Sequence, residues 1–483
     1  MTIPMSTFAE NLSYGDLPEP LLQVLRRSFL DTMGVAAIGS TTELSDLARK
    51  GALAVFGTGN AGGARILMDG RTLSPAGAAM AGAFMVDSID AHDGTSPNKG
   101  HAGSAIFPAL LAVADAMRAN GTPITGRDFA TWLAVAYEIS YRAGQVQHAT
   151  CADYHTSGAW TAVGVAAACA RMLSCDGEAI RHAAGIGEYH GPRSQMMRCI
   201  DFPTMLRDGV GWGAPTGVTA AYLAFEGFTG APALTCEGQD AKPFWADLGD
   251  TWFTVRDTHY KPYPCCRWAH PSLDAVQVLM TDNNLTHDRV KAVNIKTFHN
   301  ATRLAGHEPQ SLDDFTYAIA FPVAAMIVRG QVGVNELTPE TLQDPDILRI
   351  SRATQLIDDP HLTKISEGKR WAQVTIVDVD GKEYIDTPRT PRGDTDLPLS
   401  DAEISTKFHN FADPLLGQER ADSIEKLSAE FDTLDADGFA KLMDLCLAAP
   451  LRQEITLSAK KPLVNPDQGN GPQQAANKHA QHT

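Results

Sequence analysis

Asp87-Ser-Ile-Asp-Ala-His-Asp-Gly-Thr-Ser-Pro-Asn-Lys-Gly-His-Ala-Gly-Ser104 is the stretch around which the chain is organised. It places Asp87, Asp90, His92, Asp93, Thr95, Lys99 and His101 within fifteen residues. The runs on either side, Ser74–Met85 and Ala105–Met117, are apolar and rich in alanine. Their small and aliphatic residues recur at helical spacing without strand alternation, which predicts two buried helices. A polar loop held between two core helices is where a scaffold presents reactive groups. The competing reading is a solvated connection with His101 at a helix start.

Outward from this loop, the pattern is mostly helical. Asp16–Gly39 carries a stripe of Leu21, Leu22, Leu25, Phe29, Leu30 and Met33 behind Pro18 and Pro20. Helices are also expected at Leu44–Phe56, Arg127–Tyr141, Gly158–Met172, Glu178–Gly187 and from Gly209 to Phe225. Gly57-Thr-Gly-Asn-Ala-Gly62 matches a dinucleotide fingerprint in letters only. A helix precedes it and a short strand, Ala64–Met68, follows, the reverse of what a pyrophosphate site requires. It reads as a turn. The glycines of Gly209–Gly217 lack a following Gly-Lys-Ser/Thr and read as close helix packing.

Near residue 255 the texture changes. His259-Tyr-Lys-Pro-Tyr-Pro-Cys-Cys-Arg-Trp-Ala-His270 sets His259, Lys261, Arg267 and His270 among prolines, with a helix from Pro271. Lys291–Phe298 and Trp371–Val379 alternate like strands, the second closed by an Asp380-Gly381 hairpin signal. Asp314–Arg329 reads as one helix between them. Helical pattern resumes at Leu399 with the capping box Ser400-Asp-Ala-Glu403 and continues through Asp435–Ala448. The expected division is 1–258 helical domain, 259–396 α+β domain, 397–464 helical domain again, and 465–483 a disordered tail.

A chain of 483 residues with 44% apolar and 20% charged residues can hold more than one core. Its formal net charge of −17 argues against nucleic acid or an anionic membrane as the main partner. A local cluster of cations can still hold a small anion inside a cleft. No signal peptide or spanning segment is read. Eight scattered cysteines without CxxC spacing suit reduced thiols in a cytoplasm and argue against a structural metal.

Taken together, six stretches in order resemble the MmgE/PrpD family. They are Leu30-Asp-Thr-Met-Gly34, the acidic loop ending Gly100-His-Ala-Gly103, Tyr154-His-Thr-Ser-Gly158, Gly211-Trp-Gly…Gly227-Phe-Thr-Gly230, Lys261–His270, and Leu399-Ser-Asp-Ala-Glu-Ile…Lys407-Phe408. The resemblance spans about residues 5–450. It implies a mostly α fold, a large all-α helical domain with an inserted α+β lid. It also implies a homodimeric, cofactor-free enzyme of small di- or tricarboxylates, with its site between the two domains. Carried over by motif, that site comprises Asp90 or Asp93, Thr95, His101, His155 and Lys261, with Cys266 and His270 nearby. The acidic loop holds one residue more than the family's pattern, so either aspartate can fill the role. Arg207 stands where many members carry lysine, and Phe321 where some decarboxylating members carry tyrosine.

The family's reactions share movement of a proton on a carbon next to a carboxylate. That needs a base within hydrogen-bond reach and cations to hold the developing charge. His101 suits the base, Asp90 or Asp93 can orient it or act itself, and Lys261 or His155 can serve as acid. Lys99, Arg207 and Arg267 are the candidate carboxylate clamps. The leading expectation is a 2-methylcitrate dehydratase-like hydro-lyase. A dicarboxylate epimerase, such as the iminodisuccinate epimerases, comes next, and a cis-aconitate decarboxylase third because of Phe321. The reading outside enzymes is a degenerate carboxylate-binding member.

Overall fold

Alanine and glycine set the distances between the helices that carry the acidic loop. The computed structural model describes residues 3–59 and 62–451. In it the loop leaves helix Pro75–Asp87 and enters helix Gly103–Ala119, and most residues of both are buried. A helix apolar all round belongs at the centre of a bundle. Helices Glu19–Gly39, Gly126–Thr150, Gly158–Met172 and Val210–Phe225 pack around them, with Gly177–His190 and Asp401–Leu416 in turn packed on these. A Cβ on Gly213 would stand 2.6 Å from the Gly158 carbonyl oxygen, so helices Gly158–Met172 and Val210–Phe225 meet backbone to backbone. The glycine-rich stretch is thus packing, as its letters suggested.

The second part of the chain is built on a four-stranded sheet. Its order is Thr354–Asp358, Val290–Thr297, Ala372–Asp378, Glu383–Ile385. The first pair is parallel and the others antiparallel. Ala372–Asp378 alternates buried and half-buried residues, as expected of a strand covered mainly on one face. Helix His270–Asp282 packs on it. The two parts share one apolar core, which includes both Phe107 and Val293.

They are also joined by hydrogen bonding. Gly94–Thr95, inside the acidic loop, pairs antiparallel with Thr258–His259, with Gly94 opposite His259 and Thr95 opposite Thr258. This places the Lys261 segment over the loop.

Several boundaries differ from expectation. The first long helix begins at Glu19, after a separate turn Tyr14–Asp16, because Pro18 and Pro20 bracket its start. Asp314–Arg329 is two helices, Leu312–Thr316 and Ala320–Arg329. Pro322 has no N–H to give the Ala318 carbonyl, and the Ile319 and Ala320 amides bond instead to Leu304 and Ala305. The strand at Ala64–Met68 is only Ala64–Arg65. Strand Thr354–Asp358 escapes the sequence reading, since its outer residues are largely exposed and show no alternation. The expected tail, 465–483, lies outside the described residues, as does the middle of Gly57–Gly62.

Candidate active site

The acidic loop folds over itself so that its acids and histidines meet. His92 is fully buried, with Nε2 3.0 Å from Asp87 Oδ1 and its ring 4.4 Å from that of His101. His101 Nδ1 lies 2.7 Å from the Asp93 carbonyl oxygen. A carbonyl only accepts, so Nδ1 carries the proton and Nε2 keeps its lone pair, 3.8 Å from Asp90 Oδ1. Burial first, then the Lys261 ammonium, hold the His101 pKa well below the ordinary imidazole value. His101 is therefore a neutral imidazole with a free ring nitrogen at neutral pH.

The structure separates the two candidate aspartates. Asp90 lines the cavity, and Lys261 Nζ donates to its carboxylate and, at 2.9 Å, to its carbonyl. Asp93 is turned away. Its carboxylate accepts from the Gly103 amide at 3.0 Å and the Tyr137 hydroxyl at 2.6 Å. It anchors the start of helix Gly103–Ala119.

Asp90, Thr95, Lys99, His101, Cys266 and Arg267 line one cavity of about 40 Å³. Lys261 stands directly behind Asp90 and is fully buried. Arg267 donates to Asp394 at 2.5 Å and lies 3.1 Å from His270 Nδ1. Burial pushes the Cys266 thiol up to about 12, so a neutral thiol faces the cavity. Lys99 sits over the Tyr154 ring at 5.4 Å, and burial lowers its pKa.

Three expected site residues are placed elsewhere, besides Asp93. His155 pairs through its backbone with Gln195 and does not reach the cavity wall. His270 bonds the Cys265 carbonyl at 3.0 Å and packs on Tyr263. Arg207 donates to Thr316 Oγ1 at 2.6 Å, pairs with Asp313 at 2.8 Å and bonds the Ser88 carbonyl. It ties the loop to the sheet-bearing part of the chain and does not line the cavity.

The cavity wall also holds residues the sequence reading did not select, above all Asp208, His259, Tyr317 and Arg370. Arg370 is 6% exposed and spends one bond on the Ser366 carbonyl at 3.0 Å. In sequence it stands in Gly368-Lys-Arg-Trp371, where it resembles a surface charge. Asp208 hydrogen-bonds with Ser157 Oγ, which accepts from the His101 amide at 2.8 Å. The neighbour of an already suspected arginine was the only available signal for it.

Asp90, Lys99 and Arg207 all have left-handed backbones, with φ of 52°, 53° and 52°. Such conformations cost roughly 1–3 kcal/mol each and persist where surrounding contacts impose them. Asp90, His92 and His101 bring donor atoms within 4.8 Å of one another. Lys261 already supplies the positive charge on the Asp90 carboxylate that a cation would seek. A larger crevice of about 960 Å³ lies beyond Pro262 and Tyr263, lined by Arg392, Glu403 and Lys407, without the acidic loop.

The N-terminal domain model of the MmgE/PrpD family matches residues 4–243, and its C-terminal domain model matches residues 263–433. A cis-aconitate decarboxylase of Aspergillus terreus is 22% identical, covering 96% of this chain and 97% of that protein. The cis-aconitate decarboxylase-like protein oryM of Aspergillus oryzae is 21% identical over 90% of this chain and 95% of its own length. A cis-aconitate decarboxylase of Homo sapiens is 21% identical, covering 90% and 92%.

Proposed function

The chain belongs to the MmgE/PrpD family, and on the chemistry of its cavity we propose that it is a cofactor-independent lyase of small di- or tricarboxylates. The observation that carries this reading is His101, a half-buried neutral imidazole whose free Nε2 stands beside Asp90. Arg370, Arg267 and Lys99 around the same cavity supply the positive charge that substrate carboxylates need. His101 removes the proton from the carbon next to a carboxylate, and the C–H pair becomes an enediolate held by these cations. Expulsion of a β-hydroxide, as in a 2-methylcitrate dehydratase-like hydro-lyase, completes the reaction.

Decarboxylation is the second reading, and two observations favour it. The relatives named above are cis-aconitate decarboxylases or like them. Although Phe321 is core, packed on Phe315, the neighbouring Tyr317 does face the cavity. Epimerisation would need the same base and no leaving group.

A space of about 40 Å³ takes a few waters but no tricarboxylate. The sheet-bearing segment 259–396 therefore acts as a lid that opens to admit substrate. We also propose a homodimer. Tyr189, Phe202, Leu206, Trp212, Phe225 and Phe228 are 52–78% exposed, on helix Val210–Phe225, on the helix Gly177–His190 packed against it and in the segments beside them. Large aromatic side chains of ~150–250 Å² each make this patch comparable with the ~800 Å² per partner of a stable interface.

Proton NMR in deuterated water tests the activity, with 2-methylcitrate, citrate, cis-aconitate and iminodisuccinate as substrates. Loss of water with deuterium incorporation, abolished in His101→Ala, supports the hydro-lyase. Carbon dioxide release supports the decarboxylase. Binding without either would leave only the degenerate carboxylate-binding member.

A further inference from the structure

We propose that Asp208 is the general acid of this site, the group that hands a proton to the departing hydroxide. The inference rests on the hydro-lyase reading above. That reaction needs an acid as well as a base, and the two acids suggested by motif are both unavailable. His155 does not reach the cavity, and Lys261 is committed to the carboxylate and carbonyl of Asp90.

Asp208 occupies the place they leave. It lines the cavity with Asp90 and His101, yet is only 2% exposed. Its amide donates to Asp87 Oδ2 at 3.1 Å, and its carbonyl accepts from the Gly158 amide at 3.1 Å, so its backbone is fixed at both ends. Ser157 links its carboxyl to the His101 main chain. Base and acid thus belong to one hydrogen-bonded frame.

The charges around it explain why a proton stays there. Asp87 and Asp90 from the acidic loop place like charge beside Asp208, while Lys99, Arg267 and Arg370 line the same cavity. Lys261 faces Asp90, and Arg207 is spent on Asp313, Thr316 and Ser88. Burial, and then the charge of Asp87, raise the Asp208 pKa well above its ordinary value, against the Ser157 hydroxyl whose hydrogen bond favours the carboxylate. With those three cations, His101 and His259 line the cavity, and three weak acids also stand near Asp208, Tyr154, Cys199 and Tyr317. Each is a phenol or thiol whose own pKa is pushed up, which makes it a poor proton donor near neutrality.

The step balances. The C–H electrons form the double bond, the C–O pair leaves on oxygen, and the Asp208 proton converts the departing hydroxide to water. Asp208 is left as a carboxylate and His101 as an imidazolium. Loss of one proton from His101 and gain of one at Asp208 restore the starting state.

Asp208→Asn keeps the shape and removes the acidic proton. Two measurements on the full chain decide the matter. Infrared difference spectra between wild type and Asp208→Asn at neutral pH should contain the C=O band of a protonated carboxyl. Its absence overturns the proposal whatever the reaction is. In deuterated water, Asp208→Asn should still exchange the substrate C–H while its water loss falls about 100-fold or more. Water loss within threefold of wild type, or joint loss of exchange and elimination, overturns it. If wild type shows the infrared band but neither exchanges nor eliminates with any substrate of the panel, the hydro-lyase reading fails and the catalytic assignment of Asp208 with it.

Discussion

Lys261 and Asp90 are joined twice, the ammonium bonding both the carboxylate and, at 2.9 Å, the main-chain carbonyl of the same residue. Both side chains are buried, and they come from distant parts of the chain. Two buried charges in such contact stabilise little as a pair, but either one left alone is costly.

Lys261→Ala should therefore lower stability by about 3–5 kcal/mol in urea unfolding. The double variant Asp90→Asn/Lys261→Met should be distinctly more stable than Lys261→Ala. Equal loss in both variants would show that the pairing is not what Lys261 contributes. Neither variant is expected to turn over substrate.

Arginine roles divide sharply. Arg370→Gln should keep its melting temperature within a few degrees and raise KM about tenfold or more, since it removes a cavity cation whose protein hydrogen bonds go to the nearby Ser366 and Lys369 carbonyls. Arg207→Ala should do the opposite, costing roughly 3–5 kcal/mol by leaving Asp313 unpaired. Steady-state kinetics beside thermal melts separate the two.

For pH, His148 supplies a number. Burial holds its imidazole down to about 4, and its Nδ1 lies 2.8 Å from the Gly144 carbonyl. The unfolded chain, with a pKa near ~6.5, then binds more protons than the native one between that pH and 4. The stability His148 confers is complete above that range and lost as pH falls, by up to about 1.4 kcal/mol per pH unit. His148→Gln should flatten the acid limb by that slope. Raised carboxyls such as Asp93 work in the opposite direction, so only the difference between variant and wild type is diagnostic.

The same sign governs activity. With His101 held well below its ordinary value, the base stays unprotonated as pH falls through about 6.5. The kcat/KM profile should stay level there. A fall to half near that pH would mean an unperturbed imidazole and would sink the assignment of His101.

Trp212→Glu tests the dimer. Light scattering after gel filtration should find a monomer for the variant and a dimer for wild type. A wild-type monomer would leave the apolar face along Val210–Phe225 without a second copy.

Helices were readable because their apolar spacing and caps are local properties. Ser400–Glu403 announces its own helix start. The acidic loop was readable because so many reactive side chains crowd one short stretch. What could not be read depends on distant packing. Asp90 and Asp93 are chemically alike, and their partners tell them apart, Lys261 for Asp90 and the Tyr137 hydroxyl and Gly103 amide for Asp93. Arg207 and Arg370 exchange their expected places because burial and partners come from the tertiary fold. Asp208, marked in sequence only as the neighbour of Arg207, gains its character when Asp87, Asp90 and Ser157 surround it.

The short pairing of Gly94–Thr95 with Thr258–His259 bears on how the protein can be made. A ribosome releases the acidic loop long before Thr258 and Lys261 emerge. Until then, Asp90 and its neighbours have no lysine from beyond residue 258 to meet, and the loop lacks the strand that aligns it. A fragment ending at the first family match, residue 243, would carry that uncompensated acidity permanently. The two halves are thus not interchangeable parts. Grafting either onto a relative's counterpart would have to rematch this seam before any chemistry could start.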